Sequence, residues 1–261
     1  MLTVNRVLTL VFGLMFGSTA ICATFPVYVY HDDAPYFIDA KEDLSEQWVR
    51  LFNQKQSQFQ FQLQHIARPD LNALVEKGQP YLILWANELW FKHRDKKVMS
   101  SSAIFWDADT LVSILNKKIH FRQAQDLEGL NIGVRFGHYY SDLNPLFKAG
   151  RVTRVDAKSS FENYQRLKAG QIDGFVDSRS TILYMQDKQI LTNEFHVSLT
   201  PQDAFSRHLL LSHHYAWMLP QLNKTIEAMK ADKTWQAHMQ QWGLMALVDQ
   251  FELELEELDE I

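Results

Sequence analysis

Two hydrophobic rhythms alternate along this chain. FPVYVY (25–30) reads as a strand. Behind it, Leu44, Trp48, Leu51 and Phe52 stand at i, i+4, i+7 and i+8, the spacing of one helix face. Asp43, with Glu46 three residues on, supplies a helix-start signal. The period then changes to two: Phe59, Phe61 and Leu63 alternate with Gln, which predicts a half-buried strand. Leu71, Leu74 and Val75 predict a short helix that Gly78 ends, and YLILW (81–85) predicts a buried strand. The resulting β-α-β-α-β order is that of a parallel-type α/β layer.

The middle of the chain repeats this logic. TLVSIL (110–115) and NIGV (131–134) read as strands, and Gly137 begins the turn after the second. Ser159 and Glu162 make a capping box, with Phe161, Tyr164 and Leu167 expected on one helix face and Gly170 as its stop. IDGFV (172–176) and HLLLS (208–212) read as strands. Two closing helices carry Leu222, Ile226 and Met229, then Trp235, Met239 and Trp242. No repeat, low-complexity linker or glycine-rich spacer divides the chain. Two α/β lobes joined without a flexible linker imply strands that cross between them.

Composition narrows the class. Of 261 residues, 46% are hydrophobic and 22% charged, which excludes a disordered chain, a collagen and a coiled coil. With 26 basic and 31 acidic residues the net charge is −5, so no nucleic-acid partner is expected. Residues 249–261 hold seven acids and no base, so the acidity belongs to the tail. A solvated end is the plain reading, and a docking segment for a partner is the other.

At the opposite end, Arg6, the apolar run Val7–Phe16 and the small-residue region Ser18–Ala23 follow the order of a secretory signal peptide. The run has ten residues, whereas a membrane-spanning helix needs roughly twenty. Cleavage after Ala23 would remove Cys22, the one cysteine, so neither a disulfide nor a catalytic thiol is expected in the mature chain. The expected product is exported, periplasmic and soluble. No G-x-G-x-x-G, P-loop, H-E-x-x-H or G-x-S-x-G pattern is present, so no cofactor and no metal are expected.

Three stretches carry a resemblance. DLEGLNIGVRFGHYY (126–140), SSFENYQRLKAGQIDGFVDS (159–178) and HLLLSHHYAWMLPQLNKTIEAMKADKTWQAHMQQWG (208–243) resemble, in order and spacing, segments of the family 3 bacterial extracellular solute-binding proteins, the periplasmic components of polar amino-acid ABC transporters. The resemblance covers nearly all of residues 25–245. It implies an α/β, two-lobed periplasmic-binding-protein fold (type II, Venus-flytrap) with strand crossovers between lobes. Residues 24–108 plus 205–248 would form lobe one and 109–204 lobe two, with crossings near 106–113 and 198–210. A small solute would bind between the lobes, which close on it. The partners implied are that solute and the membrane permease of an ABC transporter, the chain itself being a monomer.

Site residues follow from the same resemblance. RDKKVMSSSAIFW (94–106) matches the family's carboxylate-gripping segment at Arg94, Lys96, Val98, Ser101 and Phe105, and Ser100 stands where the family usually has Phe. A guanidinium holds a carboxylate by two parallel hydrogen bonds, which suits Arg94. Gly137, His138 and Tyr139 occupy the family's Gly-Thr-Thr-like turn, without its two hydroxyls. The family's ammonium-binding Asp falls at Ser178 in this chain, while Asp177 lies one residue earlier. On a strand that offset selects opposite faces, so both stay candidates. Aromatic residues at strand ends (Tyr30, Tyr36, Phe37, Trp85, Trp90, Trp106) could sandwich a planar or cationic ligand, Trp85 above all. Asp32 and Asp33 could supply charge or simply make a turn.

The leading expectation is therefore a solute-binding protein for a small polar or carboxylate-bearing, amino-acid-like solute. A partner that presents its ligand to a membrane receptor or sensor is the second reading. A dehydratase-like enzyme on the same fold is the third, with Asp32, Asp33 and Asp177 as its candidate acids.

Overall fold

The computed structural model describes residues 23–38, 42–91 and 98–247. The expected signal peptide, Arg94, Lys96 and the acidic tail lie outside these residues.

The first part of the chain builds β1 (Thr24–Val29), α1 (Leu44–Lys55), β2 (Gln60–His65), α2 (Arg68–Glu76), β3 (Leu82–Ala86) and the short β4 (Met99–Ser100). Then come β5 (Phe105–Ile114), β6 (Asn131–Arg135), α3 (Leu143–Lys148), β7 (Thr153–Ala157), α4 (Ser160–Lys168), β8 (Gly174–Ser178), α5 (Arg179–Asp187) and β9 (Phe195–Val197). β10 (Asp203–Leu211), α6 (Leu219–Lys230) and α7 (Lys233–Gln241) complete it. The helix starts are those the sequence marks. Asp43 accepts from the Glu46 N–H at 2.9 Å and Ser159 from the Glu162 N–H at 3.1 Å.

One strand order serves both halves. The sheet runs β2-β1-β3-β10-β5-β8-β6-β7. Read from one edge, lobe one is β2-β1-β3 followed by the pair β10 and β5. Read from the other, lobe two is β7-β6-β8 followed by β5 and β10. Parallel pairs (β1 with β2 and β3; β6 with β7 and β8) come from strand–helix–strand crossovers. β5 and β10 pair antiparallel, Asp107 opposite Phe205 and Phe105 opposite Arg207. The far half of β5 pairs with β8, and the far half of β10 with β3. These two strands therefore belong to both lobes and form the only β-sheet link between them among the described residues.

Period-two alternation sends neighbours to opposite sides of the sheet. Leu82 and Leu84 enter the large aromatic core of lobe one while Ile83 packs beneath the other face with Leu71 and Val75. Likewise Leu111 and Val112 divide between the two cores of lobe two. Helix α4 corrects the predicted face: Ser160, Asn163 and Leu167 are buried and Phe161 lies half exposed. The reason is Gly133 on the facing strand. A Cβ there would stand 2.5 Å from Asn163 Oδ1, so the helix sits close on that side.

No helix among the described residues is long and apolar enough to cross a membrane.

Candidate functional site

The two crossing strands bury a charge each. Arg207 Nε donates to Asp107 Oδ2 at 2.7 Å, and both side chains are at most 3% exposed. Arg207 Nη1 donates to the Trp85 carbonyl at 3.0 Å and approaches His31 Nε2 at 3.0 Å. The Tyr36 ring lies 4.7 Å from the guanidinium carbon. Burial, with the Arg207 charge beside it, holds the His31 imidazole well below its ordinary pKa, so neutral His31 accepts from Arg207. Asp107 in turn accepts from the Ser180 N–H at 3.0 Å and the Ser180 hydroxyl at 2.7 Å. Ser180 lies in the first turn of α5, so the helix end and its hydroxyl stabilise a buried carboxylate together. The Tyr36 hydroxyl donates to Ser180 Oγ at 2.7 Å, tying the loop after β1 to lobe two.

Trp85 helps to shape this centre through its backbone. Its φ of +63° is left-handed, a conformation that costs a non-glycine residue on the order of 1–3 kcal/mol. Its indole, wholly buried, donates to Ser45 Oγ at 2.8 Å and packs against Trp48 and Phe105. That anchorage sustains the turn that presents its carbonyl to Arg207.

A second charged set joins the lobes. Arg135, the last residue of β6, hydrogen-bonds Asp32 and forms an ion pair with Asp33 that lacks hydrogen-bond geometry. Asp33 also accepts from the Ser160 hydroxyl at 3.0 Å and faces the Ser160 N–H at 3.3 Å, at the start of α4. Arg154 steadies the base of this arm by donating to the Arg135 and His138 carbonyls at 3.2 and 3.1 Å. Acid outweighs base here. Asp177 is buried; Oδ1 accepts from the Ser178 N–H at 2.8 Å, while Oδ2 makes no hydrogen bond of good geometry among the described residues, although the Ser160 hydroxyl is near enough to favour the charged carboxylate. Burial first, then Asp33, raise Asp177 to about 6, against the pull of Arg135. Burial, Asp107 and Asp177 raise Asp109 to about 8. Burial also raises Asp33, opposed by Arg135.

The sequence candidates are distributed unevenly around these groups. Tyr36 is buried in the hinge network. Asp177 lies within electrostatic reach of Asp33 and Arg135, whereas the Ser178 hydroxyl turns to Thr181 at 3.0 Å and to Ser180 at 3.1 Å. Gly137, at φ +77°, makes the left-handed turn that leads to exposed His138 and Tyr139 on the rim. Two expectations need correction. The Trp85 indole is a core side chain, because the left-handed turn directs it inward and only its carbonyl meets the site. Ser101 is consumed in a strand joint: its hydroxyl accepts from the Leu209 N–H and donates to the Ser102 carbonyl. Sequence reasoning passed over Asp107, Arg207, Arg135, Ser160 and Ser180. A usable signal was present: isolated charges inside apolar strands, two in FWDADTLV (105–112) and one arginine each in AFSRHLLL (204–211) and NIGVR (131–135). Among the described residues no group of three or more His, Cys, Asp or Glu side chains is arranged to hold a metal ion.

This architecture is that of the two-lobed periplasmic binding proteins. An ancestral arginine-binding protein bound to arginine superposes with a TM-score of 0.65 at 18% identity, over 84% of this chain and 98% of that one. The GluR0 ligand-binding core from Nostoc punctiforme with L-glutamate gives 0.66 at 14%, over 83% and 98%. A substrate-binding protein of an ABC uptake transporter from Streptococcus pneumoniae, with bound histidine, gives 0.66 at 17%, over 84% and 92%. At these identities the likeness establishes the fold. No protein-family model matches the chain, and no curated protein does.

Proposed function

We propose that this chain is an exported solute-binding protein that captures a small amino-acid-like solute bearing a cationic group between its lobes. Residues 24–108 plus 205–248 act as lobe one and 109–204 as lobe two, residues 1–23 are its signal peptide, and an ABC permease receives the solute. One observation carries the reading: among the described residues, the groups gathered around Arg135 include more carboxylates than arginines, and the buried Oδ2 of Asp177 accepts no hydrogen bond. An ammonium or guanidinium satisfies that oxygen, since a buried unpaired acceptor costs about 1–3 kcal/mol. Arg94 supplies the grip on a carboxylate at the other end of the solute. Arginine, histidine and glutamate are the ligands named for the three fold relatives, so they head the list to test.

The test is a thermal-shift and calorimetric screen with basic, neutral and acidic amino acids, polyamines and organic acids. A basic amino acid at a hundred times its dissociation constant stabilises by about 2.7 kcal/mol, a shift of several degrees. Arg94→Ala should weaken binding of that amino acid more than tenfold without lowering the unfolding temperature of the free protein. Silence across the whole panel overturns the reading.

A further inference from the structure

The acid seat between the lobes already faces a guanidinium of the chain itself. Asp32 and Asp33 follow β1, the first strand of lobe one, and Arg135 ends β6, its counterpart in lobe two by strand order. Equivalent ends of the two half-sheets thus meet with opposite charge. Arg135 retains only 10% of its side-chain exposure, against 67% for Asp32 and 20% for Asp33. The Asp33 carboxylate is shared: Arg135 takes one side and the first turn of α4, through Ser160, the other. Every group in this set bridges lobe one to lobe two. With Tyr36–Ser180 they are among the polar contacts between the lobes, to which the Lys188 ammonium adds a bond to the Gln241 carbonyl at 3.2 Å.

We propose that Arg135 is a built-in competitor: a tethered guanidinium that latches the lobes through Asp32 and Asp33 and that a cationic solute must displace from this seat. The proposal rests on the solute-binding reading and adds to it a residue that sets both ligand class and affinity. A guanidinium or amidinium solute reproduces the planar two-sided fit to the two carboxylates, and an ammonium fits less well because it offers a point charge. A solute that enters only when the latch is open binds with an affinity lowered by the open fraction. The swap is also close to neutral in electrostatics, one cation replacing another beside the same acids. The freed Arg135 remains anchored at its carbonyl by Arg154 and so stays at the mouth of the cleft.

The experiment combines small-angle scattering with calorimetric titration of L-arginine into the wild-type protein, Arg135→Gln, Arg135→Lys and Asp32→Asn. Arg135→Gln should enlarge the free protein's radius of gyration and bind L-arginine at least tenfold more tightly. Arg135→Lys should lie between the two. Asp32→Asn, at a largely exposed side chain where folding is not at stake, should enlarge the radius less than Arg135→Gln. An unchanged radius in both Arg135→Gln and Asp32→Asn overturns the latch. An enlarged radius with L-arginine affinity unchanged or weaker overturns the competition, and weaker binding would make Arg135 a ligand-gripping residue instead. Absence of binding of L-arginine, L-lysine or L-histidine by wild type and variants alike overturns the solute reading itself, and the scattering tells that failure from a failed latch.

Discussion

The two lobes share a strand order but not a way of being built. Lobe one packs Trp48, Phe52, Phe59, Phe61, Trp85, Trp235 and Trp242 into the larger of its two cores, with α6 and α7 closing it from the far end of the chain and a smaller core under the other sheet face. Lobe two divides into two smaller cores whose side chains are mainly aliphatic, and it gains closeness through glycine instead of bulk. The difference extends to the cleft. Lobe one presents Asp32 and Asp33 from a loop, and lobe two presents Arg135 from the end of a strand and Ser160 from a helix start. A repeated topology can therefore be specialised by charge at one equivalent position. Large aromatic side chains fill one jaw, and the shared strands β5 and β10 pair with both.

The hinge pair belongs to neither lobe alone, and breaking it should have the largest effect. Asp107→Ala leaves Arg207 buried without its carboxylate. Removing one partner of a buried pair costs about 3–5 kcal/mol, to be read as a lower midpoint in urea unfolding. Loss of cooperativity, with one lobe melting before the other, would show that the strands had also carried the coupling between jaws.

Asp177 tests the wall of lobe two. Its pKa is raised from the ordinary 3.8 to about 6, so the folded state holds the proton more tightly than the unfolded chain. Its contribution to stability is thus highest below about pH 4, falls as pH rises towards 6 and is flat above that. Asp177→Asn should remove this slope and leave the protein more stable near pH 7, by on the order of 2 kcal/mol. Melting curves between pH 4 and 7 that keep the wild-type slope would place the raised acid elsewhere, with Asp33 and Asp109 next in line.

Packing within lobe two comes next. In Gly133→Ala the new methyl would stand 2.5 Å from Asn163 Oδ1 and 2.7 Å from Ile172 Cδ1. Overpacking of this kind costs roughly 1–3 kcal/mol, and hydrogen exchange should report it in β6 and α4 but not in lobe one. The smallest effects compare the jaws directly. Asp43→Ala and Ser159→Ala each remove a helix cap, worth about 1 kcal/mol. The loss should be felt more in α4, nine residues long and lightly packed, than in α1, twelve residues long and wedged into the aromatic core. Equal losses would mean that core size does not buffer the caps.

Local order was legible wherever it had a local cause. The spacing of Leu44, Trp48, Leu51 and Phe52 is a helix face whatever surrounds it, and Asp43 caps it because its carboxylate reaches an N–H three residues away. The runs at 25–30, 81–85 and 131–134 are strands because continuous apolar, β-branched and aromatic residues bury themselves on both faces. Elements with weak patterns were not legible in the same way. β7, TRVDA, has a single buried residue and is a strand because β6 offers it an edge.

The candidate site divides along the same line. Tyr36, Asp177 and the turn at Gly137 were visible as residue types at strand ends, since α/β sheets gather their polar groups there. Sequence spacing could not reveal that Asp107 would meet Arg207, one hundred residues on, or that Arg135 would reach Asp32 and Asp33. Those pairs exist because two strands cross between the lobes and because equivalent strand ends come face to face. Sequence by itself determined the strongly patterned helices and strands and the caps at Asp43 and Ser159. Tertiary structure decided which charges became partners, because long-range contact depends on topology and cannot be read from neighbours along the chain.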